Sequence, residues 1–124
     1  VSAAVSFTIP GAPVPKARPR VVRGHAFTPK RTRSYERKVR RCARAAGVRP
    51  LAGPVSLALE VWPADHHRMD IDNIAKAVSD ALNGLAYDDD SQVDLLTVRR
   101  RAPSNTPRVL VSVGALDPDP EVSK

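Results

Sequence analysis

The 124-residue chain contains one cysteine, Cys42, so no disulfide can close within it. No cluster of cysteines and histidines has zinc-binding spacing. A reducing, intracellular setting is therefore expected. Aromatic residues are scarce, with two Phe, two Tyr and one Trp. That is sparse for a surface that stacks on unpaired bases. No uncharged apolar run approaches the ~18–20 residues of a membrane span. Val1–Pro10 lacks the basic start and apolar stretch of a signal peptide. No small-molecule cofactor and no membrane partner is expected.

Acidic residues are nearly missing from one third of the chain. Between Val14 and Pro50 stand 13 basic residues and a single acid, Glu36. Between Glu60 and Asp94 the balance inverts, with nine acids against Arg68 and Lys76. The whole chain carries +7. A net charge of that sign suggests a polyanionic partner, nucleic acid first. A protein that only coats DNA has no use for carboxylates beside its basic surface, because they repel phosphate unless cations intervene. Segregated base and acid suit a metal-dependent nuclease. Ordinary solvated acidic loops explain the same counts.

Hydrophobic periodicity outlines the fold. Ala4–Ile9 alternates as a short strand, and Pro10-Gly11 stops it. Pro13–Pro29 is proline-rich and basic, with Arg23-Gly24 placed as a hairpin tip. Thr28 and Pro29 suit the N-cap and first position of a helix running to about Ala46. Its apolar stripe is Tyr35, Val39, Cys42, Ala43 and Ala46, with Gly47 at the C-cap. Val55, Leu57, Leu59 and Val61 mark a strand. Ile71, Ile74, Ala75, Val78, Leu82 and Leu85 mark a second helix, Ile71 to Leu85. Val93–Arg100 and Arg108–Val113 close the order as strands. The reading is one small α/β (α+β) domain over residues 1–116, a mixed sheet with two main helices. A basic arm, residues 13–30, lies within it, and residues 117–124 form a loose tail.

The chemistry concentrates in Asp70-Ile71-Asp72-Asn73-Ile74-Ala75-Lys76 and in Asp88-Asp89-Asp90-Ser91-Gln92. Asp70 and Asp72 begin a helix, where free N–H groups and the dipole tolerate anions. Asp88–Asp90 follows the same helix, ~25 Å away at 1.5 Å per residue if the helix runs straight. The next strand can bring that loop back. Each piece also has a plain reading: an acidic helix cap for Asp70 and Asp72, an Asp-rich turn for Asp88–Asp90, and a surface ion pair for Lys76, which stands four residues after Asp72. Asn73 and Asp80 fit an ordinary helix surface, and His66-His67 has no partner at helical spacing.

Taken together, Asp70-x-Asp72-Asn73-x-x-Lys76, then Asp80-Ala81-Leu82, then Asp89-Asp90-x-Gln92-Val93 resembles the RusA family of Holliday junction resolvases. The early Pro10–Arg20 stretch, Thr28-Pro29-Lys30 and Tyr35-Glu36 are similar to its phage and prophage branch. The resemblance covers about Val5 to Val113. It implies a Mg²⁺-dependent endonuclease, with Mn²⁺ able to substitute, acting on four-way DNA junctions as a homodimer. It also implies the cytoplasm of a bacterial or phage-infected cell. The family's acidic site falls on Asp70, Asp72 and Asp90, taken as catalytic metal ligands, and its essential lysine on Lys76. Asn73 and Asp89 are candidates to support those ligands from behind. Whether Asp89 or Asp90 is the third ligand rests on spacing to Gln92.

Bottom-up chemistry agrees with that assignment. Phosphodiester hydrolysis needs a deprotonated water and relief of phosphate charge, which Mg²⁺ provides. Aspartate oxygens without thiols suit Mg²⁺ or Mn²⁺ and disfavour zinc. Lys16, Arg18, Arg20, Arg23, Lys30, Arg31 and Arg33 are the candidate DNA contacts. Two nicks related by a two-fold need two sites, hence a dimer, with an apolar interface expected from the sheet or the second helix. The alternatives are a non-catalytic basic nucleic-acid-binding module and a metal-dependent nuclease for other branched DNA or RNA.

Overall fold

A computed structural model describes residues 4–17 and 20–117. Arg18, the side chain of Arg20 and most of the expected tail lie outside the described residues. Strand β1 is Val5–Pro10, β2 Arg20–Val22 and β3 His25–Phe27. Helix α1 is Lys30–Ala45, β4 is Val55–Trp62 and α2 is Ile71–Ala81. One 3₁₀ turn, Asp90–Gln92, leads into β5, Val93–Arg100, and β6 is Arg108–Ala115.

The main sheet has the order β1-β6-β4-β5, and β2-β3 forms a separate hairpin. β4 pairs with β5 in parallel and with β6 antiparallel, so the sheet is mixed as expected. Alternation decides which face is covered. Val55, Leu57, Leu59 and Val61 of β4, with Val109, Val111 and Val113 of β6, are buried beneath the helices. Val39 and Ala43 of α1 and Ile74, Ala75 and Val78 of α2 complete the same cluster. The hairpin stands apart, with Val21, Val22 and Phe27 exposed. Arg23 (φ 53°) and Gly24 (φ 80°) form its tip, the left-handed pair that a two-residue hairpin demands.

Several boundaries differ from the sequence reading. Pro29 is the N-cap of α1, and no side chain caps that helix, so Thr28 does not. Thr32 joins the buried face, and Ala46 is exposed. Helix α2 ends at Ala81, four residues before the expected Leu85. Leu82–Tyr87 instead folds into a tight turn, with Gly84 at φ 80° and its N–H donating to the Tyr87 carbonyl at 2.7 Å. Tyr87 is fully buried, and its hydroxyl donates to the Ser79 carbonyl at 2.7 Å. An aromatic plug and a left-handed glycine outweigh the helical spacing of Leu82 and Leu85. This early stop positions the site, because it turns the acidic loop back along α2.

Candidate active site

Asp70 is the N-cap of α2 in extended conformation, yet its side chain makes no capping bond. Among the described residues its carboxylate is met only by Asn73 Nδ2, at the long distance of 3.5 Å. Asp72 Oδ1 accepts from the Asn73 N–H at 3.1 Å. Both carboxylates are exposed, and a shallow depression joins them to Arg68 and Arg100. The guanidinium of Arg100 donates to the Met69 carbonyl, which ties the start of α2 to the end of β5. Asn73 thus touches both acids, Asp72 through its backbone N–H and Asp70 through its side-chain amide. Arg68 stands beside the acids in the sequence, whereas Arg100 was not singled out there, although Arg99-Arg100-Arg101 is a visible charge run.

Lys76 points the other way along the helix. Its ammonium lies 3.1 Å from Asp80 Oδ1 and 4.0 Å from Asp90 Oδ2, and it remains more than half exposed. Asp80 is also 3.3 Å from Lys16 Nζ, which lies 3.1 Å from Glu36 Oε2. A charge chain thus runs from α1 through the basic arm to α2. Lys16 is a structural clasp here, and its backbone N–H donates to the Asn73 carbonyl at 2.9 Å. Burial works against the Lys16 charge, but hydrogen bonding and attraction to Glu36, then Asp80, hold its pKa above the usual lysine value.

The carboxylates titrate unequally. Burial works to raise Asp80, yet hydrogen bonds from Lys76 and with Asp90, and the lysine charges, hold it below the usual range. Asp90 is pushed up, by burial first and then by sharing a hydrogen bond with Asp80. Asp89 is held low by hydrogen bonding to Ser91, first to its side chain and then to its N–H, which Asp89 Oδ2 accepts at 3.1 Å. Asp89 caps the 3₁₀ turn, and Gln92 completes the reciprocal half of that capping box.

Gln92 has a larger part than the sequence suggested. Its Oε1 accepts from the N–H groups of Asp88 and Asp89, at 2.9 and 3.2 Å. Its Nε2 donates to the carbonyls of Leu51 and Gly53, at 2.8 and 2.9 Å. One side chain staples the acidic loop to the lead-in of β4. The motif spacing singled out this residue, but nothing local to it revealed the far carbonyls.

The basic surface is divided. Arg23, Lys30, Arg31 and Arg33 are exposed along the hairpin tip and the first turns of α1. Arg40 is engaged, because its guanidinium donates to the Ala81 and Asn83 carbonyls at 2.9 and 3.1 Å and caps α2. A second basic edge, absent from the sequence reading, gathers Arg101 and Arg108 around Trp62, with Arg108 4.1 Å from the ring centre. His66 and His67 sit in the exposed loop between β4 and α2, lining a hollow with Arg68 and Arg101.

The residues fit a hard divalent cation in part. Asp70 and Asp72 offer adjacent oxygen donors. Asp90 stands with Lys76 and Asp80, and among the described residues no three acidic, His or Cys side chains converge to hold a metal. The Asp88–Asp90 loop does fold back, but onto the second half of α2.

Carboxylates and a lysine along one helix, flanked by arginines, are the equipment of a nuclease. A comparison with protein families makes the class particular: residues 10–114 match the family of endodeoxyribonuclease RusA. The chain belongs to that family of Holliday junction resolvases, and it is an endonuclease acting on DNA. Nucleases of the family are generally metal-dependent. No curated protein matches the chain significantly. Among the described residues, no helix is long and apolar enough to cross a membrane.

Proposed function

We propose that this chain resolves four-way DNA junctions by paired, Mg²⁺-dependent nicks, acting as a homodimer of one catalytic domain, residues 1–116. The observation that carries this reading is the pair Asp70 and Asp72 at the start of α2. Both carboxylates are exposed and neither caps the helix, so they are free to hold a cation against a phosphate. Asp70, Asp72 and Asp90 are the proposed ligands. The cation would lower the pKa of a bound water and neutralise phosphate oxygens. Lys76 presents a point charge towards the scissile phosphate. Arg68 and Arg100 lie where a DNA strand entering the acidic pair would pass. Arg23, Lys30, Arg31 and Arg33 neutralise flanking phosphates, which favours backbone and shape recognition over base reading. Candidate contacts Arg18 and Arg20 belong to the same arm.

Cleavage in Mg²⁺ of a four-way junction, a replication fork, a duplex and a single strand tests this. The expected result is paired nicks in the junction and an uncut duplex. A junction that is bound but left intact while forks or RNA are cut would overturn the substrate assignment.

A further inference from the structure

The β2-β3 hairpin forms a sheet of its own, apart from the four-stranded one. Every residue from Val21 to Phe27 is exposed. Among the described residues five large apolar side chains stand well out in solvent, and three belong to this short ribbon: Val21 at 69%, Val22 at 54% and Phe27 at 45%. The register sets Val22 against His25 and Val21 against Ala26. Residues opposite each other share a face, and alternation returns Phe27 to the His25 side. Val22 and Phe27 therefore lie on one face and Val21 on the other. Both faces are open, so burial within the chain does not account for these side chains.

The surroundings indicate what covers them. Between Val14 and Tyr35 the sequence has seven basic residues and no acid. Arg23 sits in the turn itself, and Lys30, Arg31 and Arg33 follow on the exposed start of α1. A patch of that charge meets a polyanion, and the family acts on DNA. Position agrees. Ala17 and Pro29, on either side of the hairpin, line one cleft with Asn73, which touches both Asp70 and Asp72. A three-residue strand spans about 10 Å, roughly three nucleotide rises of about 3.4 Å. The ribbon thus starts near the acidic pair and meets DNA a few nucleotides from it.

Phosphates offer nothing to valine and phenylalanine. Base faces do, but a continuous duplex keeps them stacked. At a branch point a base pair loses a stacked neighbour. Proteins that kink DNA insert apolar side chains between base steps, and opening costs least where pairing is already disturbed. One phenylalanine is too little for a platform along single strands but enough for a wedge at one step. We propose that the β2-β3 hairpin is a wedge for the DNA branch point. Phe27 and Val22 lie against base faces opened there, and that fit selects branched DNA over duplex. The choice of a branched substrate rests on the junction reading above.

The test compares metal-free binding of a four-way junction, a fork and a duplex by wild type, Phe27→Ala and the double variant Val22→Ser/Phe27→Ala. Phe27→Ala should lower the junction-over-duplex affinity ratio about ten-fold, in the range for taking one aromatic from a base. The double variant should lower it further, and Phe27→Trp should keep it. Duplex affinity and its salt slope should stay as in wild type, because no cation is removed. 2-Aminopurine at the branch point, dark while stacked between bases, should brighten with wild type and stay dark with the double variant. The unfolding temperature should not move, since neither side chain is buried. An unchanged ratio in the double variant, or equal losses on junction and duplex, would overturn the wedge. So would a branch point that stays dark with wild type. A double variant of altered oligomeric mass would also overturn it, by assigning the ribbon to contact between copies. If wild type prefers the fork to the junction and the variants lose that preference, the wedge stands and the four-way reading falls.

Discussion

The Lys76 ammonium lies 3.1 Å from the Asp80 carboxylate one turn further along α2, and this pair is what holds the lysine beside Asp90. Lys76 was expected to pair with Asp72 one turn back if it served only the helix. Its actual partner directs it to the acidic loop. Lys76→Ala should leave stability nearly unchanged, because an exposed i,i+4 pair contributes only ~0.3–0.5 kcal/mol. Cleavage should slow ~10²-fold or more, in the range for removing one electrostatic stabiliser. Thermal unfolding beside single-turnover cleavage separates the two. A folded variant cutting at the wild-type rate would reduce Lys76 to a surface ion pair.

The sheet and both helices were legible because their signals are local. Val55 to Val61 alternates without interruption, and Tyr35, Val39 and Ala43 repeat at helical spacing. The end of α2 was not legible. Leu82 and Leu85 continue the helical spacing, and only the three-dimensional burial of Tyr87 shows why the chain turns. The acidic residues were recognisable by motif, yet their distribution was not, since Asp90 reaches Lys76 only because that turn is tight. Lys16 read as a DNA contact because charge counts cannot reveal that Glu36 and Asp80 already hold it.

The three expected metal ligands should behave alike despite lying apart in one chain. Asp70→Asn, Asp72→Asn and Asp90→Asn each keep shape and remove a negative charge. Junction cleavage in Mg²⁺ should collapse in each. Metal-free junction binding, measured by gel shift, should persist or tighten as repulsion of phosphate falls. Asp88→Asn should cut near the wild-type rate, because its backbone N–H, not its carboxylate, holds the loop. Asp89→Asn should also survive, since asparagine serves as a cap as well as aspartate does. Normal cleavage in all five would leave an acidic turn and a helix start with no catalytic part.

Binding should depend steeply on salt. Each duplex phosphate neutralised contributes ~0.9 to the slope of log K against log salt. Alanine at Arg23, Lys30, Arg31 or Arg33, all exposed, should weaken binding to every junction sequence alike and flatten that slope. Arg40→Ala should act differently, by uncapping α2 and lowering the unfolding temperature with little effect on the slope. A salt titration of each variant distinguishes a phosphate contact from a cap.

Lys16 makes a stability prediction with a defined pH range. Lys16→Met leaves Glu36 and Asp80, each about one fifth exposed, without this cation. The cost should be about 1–2 kcal/mol, between exposed and buried ion pairs. The Lys16 pKa is raised in the folded state. Its contribution is therefore fully present below the usual value of 10.5 and fades as pH rises through the higher folded value. Urea unfolding of both proteins should show a constant gap from neutral pH to the ordinary lysine range and a narrowing gap beyond it. A gap that stays open at the alkaline end would assign the loss to packing of the lysine stem.

Gln92 offers the sharpest separation of loop position from chemistry. Its amide makes four hydrogen bonds joining Asp88 and Asp89 to Leu51 and Gly53. Gln92→Ala removes all four, leaves two carbonyls and two N–H groups to find water, and should cost about 1–3 kcal/mol. The loop is then free to swing, and Asp90 with it. Metal affinity and cleavage should both fall, and raised Mg²⁺ should recover part of the cleavage, because a loosened ligand weakens binding of the cation without removing its oxygen. Asp90→Asn should show no such recovery. Gln92→Glu is the discriminating variant: it keeps the acceptor for Asp88 and Asp89 but loses the donor to Leu51 and Gly53. It should therefore keep the turn and lose the staple. If Gln92→Ala cuts normally at low Mg²⁺, the staple contributes only to folding and Asp90 needs no help to reach its place.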